Sequence, residues 1–352
     1  MELEALVSAV LANPSDATAQ YLLGCIQYDK RHFADAAKSW QKAIAADPTF
    51  YASYRNLAVV FYSKLDRREE ALPLLKEALE LRPKDDILLK EAAFVMAHTG
   101  VSEAEQLAFL AENWPSNPSD NLTLDLANAQ IGAGKYQAAV ETLEKHRFVP
   151  AECTETYLTD AYTLANIQLG RLAYGRGDVQ AALELFQRAQ GEPAGFDAGW
   201  WDTQVLFQAR FYEALALNEL GHITERDTVI RSITNFVTSN YSPYMPPERF
   251  YYIAAAMRLS GDELGARIFM SAKIREWTHE AANDVDRKLV QTALFISYVD
   301  NAASAHRAAM LGALGYSRLF FDDPAGARSY FLQSLALDPS ALRLRLELEL
   351  LK

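Results

Sequence analysis

Residues 22–48 read LLGCIQYDKRHFADAAKSWQKAIAADP, and the spacing of small and large apolar residues in this stretch decides the fold. Leu23-Gly24 is followed by Ala36, Trp40, Ala43 and Pro48. These positions suit two antiparallel helices joined by a turn. Gly24 and Ala36 are small enough for the helices to approach, Trp40 fills the gap, and Pro48 stops the second helix.

The frame recurs along the chain, which makes internal repetition the primary signal. Leu57, Ala58, Ala71, Leu75, Ala78 and Pro83 repeat it with one extra residue in the turn. Leu169, Gly170, Ala182, Phe186 and Ala189 repeat it again, as do Leu314, Gly315, Ala327, Phe331 and Pro339. Weaker copies fit around Ala92/Ala93, Leu126/Ala127/Ala139, Ala214/Gly221 and Ile253/Ala254/Gly261/Ala266. The pattern resembles the 34-residue tetratricopeptide helix-turn-helix. It implies an all-α fold, a tetratricopeptide-repeat α-solenoid forming a right-handed superhelix of about eight helix pairs.

Pro14 occupies the place of Pro48, so Leu6 and Ala9 fall where Trp40 and Ala43 fall. Residues 1–16 then read as a half repeat or capping helix, and the half-way start suggests a fragment of a longer chain. Residues 17–149 form the N-terminal repeats and 150–275 the central repeats, with an aromatic insertion at 190–206. Residues 276–352 form an irregular helical segment plus a final repeat. Insertions in a solenoid often carry function.

Longer runs point further: NPSDATAQYLLGCIQYDKRHFADAAKSWQKAIAADPTFYASYRNLAVVFY (13–62), DNLTLDLANAQIGAGKYQAAVETLEKHRF (120–148), MPPERFYYIAAAMRLSGDELGAR and LFFDDPAGARSYFLQSLALDP. In that order they resemble the C-terminal tetratricopeptide region of large bacterial proteins of unknown function. Those carry an upstream β-sandwich domain resembling carbohydrate-active enzymes. The resemblance implies that any catalytic residues sit in the upstream domain, so none transfers here. It is loose at Trp200-Trp201 and over 276–307.

Composition narrows the partners. A net charge of −12, with no basic run longer than Arg67-Arg68, argues against nucleic acid and against anionic membrane surfaces. Two cysteines, Cys25 and Cys153, are too few for a disulfide framework or a thiolate metal site. The N-terminus lacks a secretory pattern, and no apolar stretch approaches the ~18 residues needed to span a bilayer. A cytoplasmic protein is expected.

Catalytic constellations are hard to find. The histidines are scattered without zinc-site spacing, and there is no phosphate-binding glycine loop or nucleophile elbow. Ser119-Asp120-Asn121 reads as a helix cap, and Asp322-Asp323 and Asp284/Asp286 as turn and cap carboxylates. No enzyme activity, cofactor or metal is expected.

What a repeat array does is bind. The first helix of each pair lines the concave face, which places Tyr21, Tyr28, Arg55, Tyr62, Lys90, Arg171, Tyr174, Tyr251 and Arg258 along a groove. Aromatics interleaved with Arg and Lys suit an extended peptide or a carboxylate-bearing ligand. The expected function is a non-catalytic scaffold for a protein or peptide, or for the chain's own upstream domain. An ordinary groove filled by neighbouring helices stays open as an alternative. The carboxylate clamp of chaperone-binding repeats is disfavoured, because of its positions (Tyr21, Cys25, Asn56, Ile87, Glu91) only Asn56 fits. A second reading is an accessory region of a glycan-processing enzyme, with Trp200, Trp201, Tyr241 and Tyr244 stacking on sugar rings. A third is homo-oligomerisation through Leu3, Leu6, Val7 and Val10.

PYMPPERFYY (243–252) could be a proline-rich ligand. The frame makes it a helix start instead. Pro247 opens the first helix of the seventh pair, Phe250 and Ile253 face the core, and Tyr251 points at the groove.

Overall fold

The repeat frame becomes helix pairs because each of its signals has a local consequence. The computed structural model describes residues 2–149, 155–191, 196, 206–239, 248–282 and 302–351. Within them α1 (Glu2–Ala12) stands first and α18 (Leu342–Leu350) last. The helices between form eight consecutive pairs. They are α2 (Ala17–Asp29) with α3 (Phe33–Ala46), α4 (Tyr51–Ser63) with α5 (Ala71–Leu81), and α6 (Asp86–His98) with α7 (Glu103–Asn113). Next come α8 (Asp120–Gly132) with α9 (Tyr136–Lys145), and α10 (Glu155–Gly175) with α11 (Val179–Arg188). Then follow α12 (Leu206–Glu219) with α13 (Ile223–Ser239), α14 (Arg249–Leu259) with α15 (Glu263–Ala282), and α16 (Ala302–Phe320) with α17 (Pro324–Leu337). No strand occurs among the described residues, apart from a single bridge pair, Phe148 with Phe196.

Helix starts follow capping chemistry. Asp16 accepts from the Ala19 amide at 2.9 Å, and Asp85 accepts from the amides of Ile87 and Leu88. Ser102 and Glu105 form a reciprocal capping box at the start of α7. Asp323 caps α17, with Pro324 in the first turn where a missing N–H costs nothing. The turn inside each pair passes through left-handed backbone. Glycines 100, 134, 177, 221 and 261 supply it in the third to seventh pairs, and Arg31, Asp66 and Asp322 in the first, second and eighth. A side chain in that conformation costs roughly 1–2 kcal/mol, so these three positions are strained relative to the glycine turns.

The frame's size rule is visible in contact distances. A Cβ placed on Gly24 would lie 2.6 Å from Trp40 Nε1. On Gly170 it would lie 2.4 Å from Phe186, and on Gly315 2.4 Å from Phe331. Trp40, Phe186 and Phe331 are fully buried, and so are Ala36, Ala43, Ala58, Ala78, Ala182 and Ala327. Glycine on one helix and a large ring on the other is thus the interlock that sets the spacing within a pair.

The chain divides into two compact units, the boundary falling in the first turn of α8, between Leu122 and Thr123. In the first unit, Tyr28, Trp40, Leu57, Val60 and Phe61 form a core along α2–α4. In the second, α8–α10 bury Leu124, Ile131, Leu143, Leu158 and Leu164. Further along the second unit, α12–α16 bury Phe207, Ile233, Phe250, Met270 and Trp277. Phe250, Ile253 and Ala254 are all buried, as the helix-start reading of 243–252 requires. Prolines 243, 246 and 247 lie outside the described residues.

Candidate functional site: the first-helix faces

In the first unit the face is built by α2, α4 and α6. Tyr21 sits half-buried at the edge of Phe50, ring centroids 5.0 Å apart. Arg55 reaches from α4 to Glu91 on α6 with a forked contact, Nε to both carboxylate oxygens at 3.0 Å and Nη2 to Oε1 at 2.5 Å. Its remaining amino group donates to the Asn56 side-chain oxygen at 3.3 Å. Charge-assisted forks of this kind lock both side chains, so Arg55 is already engaged. Asn56 in turn donates to the Cys25 thiol at 3.8 Å, and burial pushes that thiol's pKa up. Tyr28 and Tyr62 are not surface residues: each is almost fully buried, Tyr28 against Phe33 and Trp40, and Tyr62 against Phe94. Lys90 is half-buried, with no ion-pair partner among the described residues.

In the second unit the face holds the chain's own last helix. Arg171 of α10 grips Glu347 of α18 through two parallel contacts, Nη1 to Oε1 at 2.9 Å and Nη2 to Oε2 at 3.2 Å. Arg343 of α18 answers in the other direction, donating to Gln208 of α12 at 2.5 Å and to the carboxylate of Asp160 of α10. Leu346 enters the α8–α10 core, and Leu344 packs with Tyr316, Phe331 and Gly312, whose added Cβ would lie 3.0 Å from the leucine. Tyr251 stacks obliquely on Tyr316, centroids 5.4 Å apart.

Electrostatics follow from this burial. Burial penalises the Arg171 charge, but the neighbouring Tyr212 and Glu347 outweigh it and hold the guanidinium above its usual range. Arg343 behaves likewise, with Asp160 and Glu248 overcoming the cost of burial. Burial pushes the Tyr251 hydroxyl up to about 12, reinforced by the Glu347 carboxylate. Tyr212, Tyr252 and Tyr316 are raised for the same first reason.

The remaining expected groove residues are spoken for locally. Tyr174 packs into the α10–α12 cluster. Arg258 donates to the Phe320 carbonyl at 2.8 Å, lies 4.0 Å over the Phe320 ring and pairs with Glu263. Trp200, Trp201, Tyr241 and Tyr244 lie outside the described residues, as do Cys153, Asp284 and Asp286. Among the described residues no group of His, Cys, Asp and Glu is arranged to hold a metal ion. No described helix is long and apolar enough to cross a membrane.

A family model for the tetratricopeptide repeat matches residues 21–86. Those residues are a tetratricopeptide repeat region. With the pairs that follow, the described residues are all-α, consistent with a tetratricopeptide-repeat solenoid. Similar solved structures include YrrB, described as a tetratricopeptide protein with an unusual peptide-binding site, at 16% identity and TM-score 0.41, covering 53% of this chain and 91% of that one. The Naa15/Naa10 complex bound to HypK-THB is similar at 14% identity and TM-score 0.43, over 97% of this chain and 56% of that one. The apo quorum sensor NprR from B. thuringiensis matches at 13% identity and TM-score 0.38, over 96% and 80%. At these levels the neighbours say nothing about what this chain binds.

Arg171 and Tyr251 stand on first helices, as the repeat frame has them, and both meet α18. Asp160, Gln208, Arg343 and Glu347, which join α18 to α10 and α12, have no place in that frame. The available signal was LRLRLELEL at 342–350, two arginines followed by two glutamates, each separated by a leucine. That alternation has period two, the pattern of a strand rather than a helix.

Proposed function

We propose that the chain is a non-catalytic scaffold that binds a protein or peptide partner along the first-helix face of its first unit. The supporting observation is the mixed aromatic and cationic character of that face. Tyr21, Arg55, Lys90 and Phe94 remain partly exposed there, over a layer of buried Tyr28, Tyr62 and Asn56. Rings supply area at low entropic cost, and a lysine with no ion-pair partner among the described residues favours an acidic side chain or a chain-terminal carboxylate. Arg55, held by Glu91, orients the face more than it reaches outward.

The resemblance to the repeat regions of large bacterial proteins extends the proposal. The partner would be the β-sandwich domain upstream in the same chain, in a cytoplasmic protein. Self-association through α1 belongs to the same reading, since Val7 is 39% and Leu11 76% exposed; light scattering at high concentration would show a dimer.

The test is affinity for peptides selected from a random library against the full chain. Lys90→Glu and Tyr21→Ala should each weaken binding about tenfold, roughly 1.4 kcal/mol, with unchanged circular dichroism. Unchanged affinity in both variants would remove the assignment. Arg55→Glu and Tyr62→Ala are poorer probes. The first would set a carboxylate against Glu91, and the second would open a cavity in the core.

A further inference from the structure

We propose that the first-helix face of the second unit is a receptor for an amphipathic helix carrying an arginine and a glutamate four residues apart, and that α18 is its tethered occupant, displaceable by a partner helix of the same pattern. This site is separate from the first unit's face, so either can fail without the other.

The charges select a helix and its direction. Arg343 and Glu347 lie one turn apart on one side of α18 and reach two places on α10, Asp160 and Arg171. Those two are eleven residues apart in the sequence, about 16 Å along a helix. The span is closed by two arginines, one reaching from each helix. A helix docked in the opposite direction would set Arg343 against Arg171 and Glu347 against Asp160, two like-charge pairs in a partly buried seam. Repulsion of that kind is how an interface rejects a wrong register.

The apolar contacts are as specific. Leu344 needs Gly312, and Leu346 needs the α8–α10 core. Tyr251 and Tyr316 pack with Leu344 and Leu348 of α18, and Tyr252 and Tyr212 lie behind them in ring contact.

The occupant is suited to exchange. At nine residues α18 is below the ~12–15 needed for an isolated helix to persist in water, so its helicity depends on its seat. Its last turn is open to solvent, with Glu349 exposed and Leu350 57% exposed. Buried ion pairs contribute register more than net stability. A competing helix that reproduces the pair therefore gives up little.

The test uses the full chain and a fluorescent peptide spanning residues 338–352. The wild-type chain should bind it weakly, because the tethered α18 competes at millimolar effective concentration. A full chain with Glu347→Arg repels its own α18 from Arg171 and should bind the wild-type peptide at least tenfold more tightly. The double variant Arg171→Glu/Glu347→Arg restores a pair of reversed polarity. It serves as the folding control: it should reject the wild-type peptide and bind one carrying Glu347→Arg only as weakly as the wild-type chain binds its own, because its α18 is seated again. Equal affinity of the wild-type peptide for all three chains would overturn the proposal. So would a wild-type dimer that the peptide splits, since the occupant would then be a second copy's α18.

Discussion

Replacing Gly24 by alanine tests the interlock on which the repeat frame rests. Alanine in a helix interior is favoured over glycine by about 1 kcal/mol, so propensity alone predicts stabilisation. Geometry predicts the opposite. The new methyl would stand 2.6, 2.7 and 2.9 Å from three atoms of the Trp40 indole, where carbon contacts prefer about 3.5–4.0 Å. Trp40 is fully buried, and its indole N–H donates to the Tyr21 carbonyl at 3.2 Å. Retreat by the ring would forfeit a hydrogen bond of about 1 kcal/mol. Overpacking of this degree costs about 1–3 kcal/mol, so the balance is a net loss of about 1–3 kcal/mol. Gly170→Ala and Gly315→Ala should behave alike, their methyls meeting Phe186 and Phe331 at 2.4 Å. Gly175→Ala is the control: nothing lies within 4 Å of its added methyl, and it should be neutral or slightly stabilising. Urea unfolding followed by circular dichroism reads all four. Combining Gly24→Ala with Trp40→Phe should recover part of the loss. If Gly24→Ala were as stable as Gly175→Ala, the interlock would not be what spaces the pairs.

Breaking the inner ion pair by Arg171→Met or Glu347→Leu alone should cost about 3–5 kcal/mol in a urea titration, and the double substitution much less, because a single change leaves a buried charge unmatched. Raising the pH should destabilise the second unit through its tyrosines. The neutral Tyr251 hydroxyl is favoured in the fold, so its contribution is full below the ordinary value of about 10 and is lost as pH rises through about 12. Tyrosinate absorbance and helix loss should therefore rise together, with Tyr251→Phe shifting both to higher pH. Ser102→Ala removes one half of the capping box on α7 and should lower stability by about 1 kcal/mol, with Ser102→Asp restoring it in the same assay.

The helix pairs were legible because their determinants are local. Gly24 and Trp40, or Gly315 and Phe331, lie sixteen residues apart, so one period of the sequence contains both sides of the contact. The turns at Gly177 and Gly261 are local in the same way, each set by one glycine in left-handed backbone. The inner face was only half legible. Tyr251 and Arg171 could be placed by counting along their helices, yet whether a face is open depends on what folds back onto it. The contacts that answer this join residues 135, 176 and 183 apart, and no local period records them. Tyr28 and Tyr62 show the same limit. Their positions on the first helix are those of a groove, but Trp40 and Phe94 bury them.

Hydrogen exchange over residues 342–350 in the full chain tests most directly whether the second unit's inner face holds its own last helix. With α18 seated by Arg171, Asp160 and Gln208, its amides should be protected well above the level of a frayed chain end. Arg171→Glu should abolish that protection while leaving α10 protected. Exchange at the unprotected rate in the wild-type chain would contradict the account.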